Sequence, residues 1–227
     1  MELSQDERRE MHSGDYVQLV DSVPISRMTR LIPLMPLTPD TRLVDFAAGT
    51  GPLSAMVEDR IAAYEGVDFS QDFVDAARRI AAEKGLRKAT FHCEDIVSFC
   101  AHHGAEFDIV TANDFSEHIY DKDFLAIFSG AHAILKPGGH LCLYTPNLTF
   151  FWEWMKDVGL AKQFPEHIAV RNAAQYLDLL EQCGFARDHM TVRYLAHFNV
   201  LRFLHPLSHL PWVGKYFQAK LFITCRK

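Results

Sequence analysis

The sequence predicts an α/β fold of the Rossmann-like, doubly wound kind: a mostly parallel seven-stranded sheet with an antiparallel last strand and an N-terminal helical cap. Three observations predict it. Short apolar runs and amphipathic stretches alternate from Arg42 to Thr145, the rhythm of right-handed βαβ units. The run Leu43-Val44-Asp45-Phe46-Ala47-Ala48-Gly49-Thr50-Gly51-Pro52-Leu53 carries an apolar strand into an acid, turns through small residues and opens a helix at a proline. Two late strands, near 188–196 and 219–226, follow a helix closed by Cys183-Gly184 and read as an antiparallel pair finishing the sheet.

Taken in order, residues 1–38 form the cap: a polar start, then the moderately apolar stretch Tyr16 to Leu37, stopped by Pro33, Pro36 and Pro39. The elements that follow are strand 42–47, helix 52–60, strand 62–68, helix 71–84, strand 89–93 and a short helix 95–101. Strand 107–112, helix 122–135, strand 139–145 and helix 171–183 complete the alternation. Two segments fall outside this plan and are expected to cover a substrate: 148–170, carrying Phe150, Phe151, Trp152 and Trp154, and 198–217, carrying Phe203, Trp212 and Tyr216. No internal repeat is present, and 227 residues at 48% hydrophobic composition predict a single domain spanning 1–227.

Composition narrows the function. The formal net charge is −6 and no run of positive residues exceeds Arg8-Arg9 or Arg78-Arg79, so a nucleic-acid partner is not expected. The five cysteines form no Cys-x-x-Cys pair and are odd in number, which argues against a disulfide framework or a zinc knuckle. No signal-peptide core opens the chain and no stretch of 18 apolar residues follows, so a cytoplasmic protein without a transmembrane segment is expected.

In a doubly wound sheet ligands bind beyond the carboxyl ends of the strands, and four strand ends here carry polar groups. They are the Asp45 to Gly51 turn, Gly66-Val67-Asp68-Phe69, Cys93-Glu94-Asp95-Ile96 and Thr111-Ala112-Asn113-Asp114. The small turn residues let backbone approach a ligand, and the helix after them points N–H groups at it. Asp68, 17 residues after Gly51, stands where a carboxylate accepts from both ribose hydroxyls; an ordinary loop aspartate is the alternative. Phe69 suits an adenine face or the core, and Asp95 suits an adenine amino group or a helix N-cap. The dinucleotide fingerprint fits poorly, because Ser54 stands at its third small position.

Over roughly residues 40–187 the pattern resembles the class I S-adenosylmethionine-dependent methyltransferases. Val44 to Gly51 matches the first motif, Gly66 to Ser70 the second, Glu94-Asp95 the adenine-contacting acid, and Phe107-Asp108-Ile109-Val110 the fourth strand. Leu135-Lys136-Pro137-Gly138-Gly139-His140-Leu141 matches the turn into strand five. Glu117-His118 and Leu179 to Phe185 are similar to the small-molecule branch that includes ubiquinone-biosynthesis methyltransferases. The family's first turn glycine is Ala47 here. The resemblance implies S-adenosylmethionine bound by Asp45, Ala47, Gly49, Gly51, Asp68, Phe69, Asp95, Ile96 and Asn113, with Tyr16 closing over it from the cap.

Methyl transfer from a sulfonium needs the acceptor held in line, a positioning effect that can supply about 7–11 kcal/mol of the barrier. An acceptor that must lose a proton also needs a base, and His118, His167 and Asp114 are the candidates, each with a purely structural alternative. Asp114, Glu117 and His118 could hold a hard cation, but capping and solvated charge explain the same residues, so no metal is expected. His205-x-x-x-His209 is read as no site, since Pro206 breaks the helix that would align the pair. Strand four continues as Asn113-Asp114-Phe115-Ser116 and lacks the Pro-Pro-Tyr of enzymes that methylate amide or adenine nitrogen.

The expected activity is therefore methyl transfer to a small aromatic or apolar acceptor, with 198–217 free for a homodimer or a peripheral apolar contact. Two rivals stay open: a cofactor-binding scaffold without chemistry, and a nicotinamide-dependent oxidoreductase, which shares Asp68 and the glycine turn but does not account for strands four and five.

Overall fold

Apolar side chains alternate along the central strands so that each face of the sheet has something to bury. In β1 (Arg42–Phe46), Val44 and Phe46 enter one core and Leu43 the other. In β4 (Phe107–Asn113), Val110 and Ala112 oppose Ile109, and in β5 (Leu135–Pro146), Leu141 and Leu143 oppose Cys142 and Tyr144. A parallel sheet needs both faces covered in this way.

The computed structural model describes residues 26–162, 167–197 and 199–227. Among them seven strands form one sheet in the order β3 (Ala89–Cys93), β2 (Ala63–Asp68), β1, β4, β5, β7 (Lys220–Arg226), β6 (Met190–Leu195). Strands β1 to β5 pair in parallel, and β7 runs antiparallel to both β5 and β6, as the sequence leads one to expect. The chain winds outward from β1 in opposite directions, to β2 on one side and to β4 on the other, so the crevice where such sheets bind ligands lies between β1 and β4.

Helices α1 (Ser26–Thr29), α2 (Pro52–Val57) and α3 (Gln71–Lys84) cover one face through Met28, Leu53, Val57, Val74 and Ala77. Helices α4 (Ile96–His102), α5 (Asp121–Ile134) and α7 (Ala173–Gln182) cover the other through Phe99, Phe124, Phe128, Tyr176 and Leu180, while α6 (Phe151–Asp157) follows β5. Helix α7 starts where Asn172 caps it: the Asn172 side chain accepts from Gln175 N at 3.0 Å and the Gln175 side chain accepts from Asn172 N at 2.9 Å. The described part of the cap buries Leu31, Ile32 and Met35; residues 1–25, Tyr16 among them, lie outside the described residues. No described helix is long and apolar enough to cross a membrane.

Two boundaries differ from expectation by three residues or more. Helix 52–60 is α-helical only to Val57 and continues as a 3-10 turn over Glu58–Arg60. Lys136-Pro137-Gly138-Gly139, expected as a turn before strand five, belongs to β5 itself, which begins at Leu135 directly after α5. The pairing passes from Phe107↔Leu135 to Ile109↔His140, so the extra residues bulge out of the ladder. Gly138 at φ +80 permits the bend, and the Lys136 ammonium pins it to the Asp108 carboxylate at 2.8 Å.

Candidate active site

The turn after β1 holds three left-handed residues within five, Ala47 at φ +52, Gly49 at +55 and Gly51 at +71. The two glycines serve different needs. A Cβ on Gly51 would stand 2.5 Å from the Phe91 ring, so this glycine is demanded by packing. A Cβ on Gly49 would meet nothing within 4 Å: this part of the turn opens on free space, with backbone exposed to whatever lies there. Ala47 adopts the left-handed conformation despite its Cβ, a strain of roughly 1–2 kcal/mol that the surrounding turn holds in place.

Strand ends β1, β2 and β4 are tied together by side chains. Asp68 Oδ2 accepts from Gly49 N at 2.9 Å and Oδ1 accepts from Ser70 N at 2.9 Å, so the acid ending β2 clamps the turn ending β1. Asp45 is buried; the Tyr64 hydroxyl donates to its Oδ2 at 2.7 Å and the Asn113 amide to its Oδ1 at 3.4 Å. Burial pushes the Asp45 carboxyl up to about 7, against the pull of those two hydrogen bonds. Asp95 is the N-cap of α4, its Oδ1 accepting from Val97 N at 2.9 Å and Ser98 N at 3.2 Å. Phe69 is half-exposed at the same edge, whereas Ile96 packs into the core with Phe99.

Beyond β4 the chain turns at Asp114, a non-glycine residue at φ +47, into a 3-10 turn over Ser116–His118. Asp114 Oδ1 accepts from the Lys220 ammonium at 2.7 Å, and that ammonium also lies 5.2 Å from the centre of the Tyr144 ring. Glu117 is buried beneath them and accepts from Thr145 Oγ1 at 3.2 Å. Burial pushes its carboxyl up to about 8, with the nearby Asp114 charge adding and Lys220 opposing. The rings of His118 and His167 meet edge to face at 5.1 Å between centroids. Burial pushes His167 down to about 3, and the neighbouring His118 and Lys156 act in the same direction, so it is a neutral imidazole at pH 7.

The structure thus brings together His118, His167 and Asp114, the three candidate bases, although 53 positions separate Asp114 from His167. It also regroups the possible cation ligands. Asp114 turns to Lys220, and His167 takes its place beside Glu117 and His118, with one donor atom from each within 4.8 Å of the others. Such a set of two imidazoles and a carboxylate could hold a transition-metal ion better than Mg²⁺ or Ca²⁺. His205 and His209 sit in a 3-10 helix that includes Pro206, their rings 6.2 Å apart.

Sequence reasoning missed two residues that build this region. Arg171, nearly fully buried, donates to the carbonyls of Ser116, Ile119 and Ala169 and to Asp121 Oδ1, so it holds the loop carrying Glu117 and His118. Its guanidinium lies over the Phe124 and Tyr176 rings at 5.2 and 5.7 Å. Lys220 is the other; a lone lysine opening the apolar strand Leu221-Phe222-Ile223-Thr224-Cys225 was the available signal.

Residues 43–139 match the model of a family described as methyltransferase domain. The chain is 34% identical over 182 residues to a ubiquinone biosynthesis O-methyltransferase of Actinobacillus pleuropneumoniae serotype 7, covering 76% of this chain and 74% of that protein. A protein of the same name from Aromatoleum aromaticum is 31% identical over 109 residues, covering 48% of this chain and 45% of its own length. The fold is shared with a SAM-dependent methyltransferase of Archaeoglobus fulgidus, at TM-score 0.65 and 16% identity over 93% of this chain and 94% of the other. The strand order, the glycine turn with its clamping acid and these likenesses converge: the chain belongs to the class I S-adenosylmethionine-dependent methyltransferases, and S-adenosylmethionine is its methyl donor.

Proposed function

We propose that the enzyme methylates a hydroxyl of a small, apolar or aromatic acceptor, with His118 or His167 taking the proton. The observation that carries this reading is the juxtaposition of two imidazoles, one of them held neutral, just beyond the β4 edge that faces the glycine turn. Two relatives named as O-methyltransferases support oxygen as the methylated atom. A phenol bearing an apolar tail is the acceptor class that fits the aromatic residues of 148–162 and 199–217.

S-adenosylmethionine supplies an electrophilic methyl group on a sulfonium. The chain's own residues do the rest. Gly49 would leave room for the donor, Asp68 and Asp95 would offer carboxylates to its ribose and adenine, Phe69 would stand against the adenine, and the backbone at Ala47, Gly51 and Asn113 would hold the methionine end. The acceptor oxygen forms a bond to the methyl carbon as the carbon–sulfur bond breaks, the electron pair stays on sulfur, and the proton passes to an imidazole nitrogen. Glu117 lies beside the two imidazoles, one oxygen within 4.8 Å of a nitrogen of each, and its raised carboxyl adds little negative charge there at pH 7. The absence of any positive block and the five unpaired cysteines fit a cytoplasmic enzyme of small molecules rather than of nucleic acid.

Thermal unfolding with S-adenosylhomocysteine, and separately with NAD, tests the donor half of this reading. A hundredfold excess over the dissociation constant adds about 2.7 kcal/mol, which raises the midpoint by roughly 5–10 °C in a chain of this size. The acceptor half is tested by transfer of labelled methyl to an alkyl-tailed catechol and to the matching aniline; labelling only the aniline overturns oxygen as the target.

A further inference from the structure

Between β6 and β7 the chain folds as a 3-10 helix over Val200–His209 and a second 3-10 turn over Gly214–Phe217, joined where Gly214 N donates to Leu210 O at 3.0 Å. At three residues per turn, side chains three apart stack in rows. One row, Leu201, Leu204 and Leu207, is partly buried against the protein. The row beside it, Val200, Phe203 and Pro206, is just as apolar and faces outward, Val200 72% and Phe203 69% exposed. Trp212 follows at 93% exposed. A segment that packs one face on a protein and turns the other to water carries mostly polar residues outward; here a whole outward row is apolar, with Arg202 the cation beside it.

Charge says what the outer face fits. From His189 to Lys227 the chain has six lysines and arginines and no aspartate or glutamate, within a protein of net charge −6. Two of those cations lie in the segment, each beside an exposed ring: the Arg202 guanidinium is 5.0 Å from the centre of Phe203, and the Lys215 ammonium 5.1 Å from the centre of Tyr216. Amphipathic aromatics with adjacent cations suit the boundary between lipid headgroups and acyl chains, where the ring is buried and the charge meets phosphate. A second copy of the chain fits less well, because a two-fold contact would set this acid-free, cationic segment against its own copy.

We propose that this face docks on an anionic lipid bilayer, with Phe203 and Trp212 entering the headgroup boundary and Arg202 and Lys215 pairing with lipid phosphates. The surface adjoins the candidate active site. Phe217 packs on Phe151 at 5.7 Å between ring centroids, Asn147 donates to Gln218 O at 2.8 Å, and Lys220 follows directly in the Asp114 cluster. Docking therefore sets that side of the enzyme against the bilayer, and it stands whether or not the acceptor is a phenol.

Flotation of the full chain with vesicles tests it, using phosphatidylcholine alone and phosphatidylcholine mixed with phosphatidylglycerol. The protein is expected to float with the anionic vesicles at low salt and to be released by high salt. The Phe203→Ser/Trp212→Ser variant and, separately, the Arg202→Glu/Lys215→Glu variant should each bind at least about tenfold more weakly at an unchanged thermal midpoint. Should the serine variant misfold, the charge-reversed one carries the test. Failure of the full chain to float, or equal binding by the variants, overturns the proposal; so does a dimer that the serine substitutions dissociate, which assigns the face to a second copy.

Discussion

Lys220, the first residue of β7, places its ammonium 2.7 Å from Asp114 Oδ1, joining the last strand of the sheet to the turn that leaves β4. Both side chains are almost wholly out of water. The pair is oriented by the left-handed backbone of Asp114 and by the Tyr144 ring beneath the ammonium.

Breaking this pair from one side leaves a buried charge without its counter-ion. Lys220→Met is expected to destabilise the protein by about 3–5 kcal/mol, and Asp114→Asn added to it should recover a large part of the loss. Urea unfolding of the two variants and the parent at pH 7 measures both.

The two turn glycines are expected to fail differently. Gly51→Ala drives a Cβ into Phe91 and should cost about 2–4 kcal/mol of stability, less in a Phe91→Ala background. Gly49→Ala meets only the backbone penalty of about 1–2 kcal/mol, yet its Cβ enters the space left for the donor. Calorimetric titration with S-adenosylhomocysteine should therefore show weaker binding for Gly49→Ala, and folded Gly51→Ala protein should bind nearer the parent.

Asp68 has two tasks, clamping Gly49 and Ser70 and, in the proposed reading, holding the ribose. Asp68→Ala is expected to weaken S-adenosylhomocysteine binding by roughly 5- to 150-fold, two lost hydrogen bonds at about 0.5–1.5 kcal/mol each. Unchanged affinity in the calorimeter removes the residue from the binding set.

Asp45 gives a pH signature. Its carboxyl sits near 7 in the folded protein and near 3.8 when free, so the native state holds the proton more tightly. That contribution is fully present below about pH 4, declines through the interval and is gone above about pH 7, at up to about 1.4 kcal/mol per pH unit. Relative to the parent, Asp45→Asn should lose less stability between pH 4 and 7, read from denaturant midpoints across that range.

His118→Ala and His167→Ala should each lower turnover by roughly 10²–10⁴-fold if the imidazole in question is the base, with donor affinity unchanged. The variant that keeps full activity identifies the histidine that only packs.

The β-strands, their mostly parallel direction and the glycine turn were legible because they follow from local rules: alternation of apolar residues, a proline at the first helical position, and small residues where backbone must bend. Asp68 and Asp95 were legible as strand-end acids, and the N-cap of α4 was readable from Asp95 itself. Boundaries at Val57 and Leu135 were not, because helix tightening and a bulge answer to what packs alongside. Phe91, 40 positions after Gly51 and 25 after Gly66, is what makes both glycines necessary.

The sequence by itself determined the fold class and the methyl donor's family motifs, since each depends on residues close together in the chain. Only the tertiary structure decided which charges meet. Lys220 finds Asp114 across 106 positions, Arg171 holds the Glu117 loop from 50 or more positions away, and His167 joins His118 by ring contact. Such pairings leave no periodic trace, because a side chain's partner is set by sheet order and burial, and it is burial that raises the Glu117 carboxyl to about 8 and lowers the His167 imidazole to about 3.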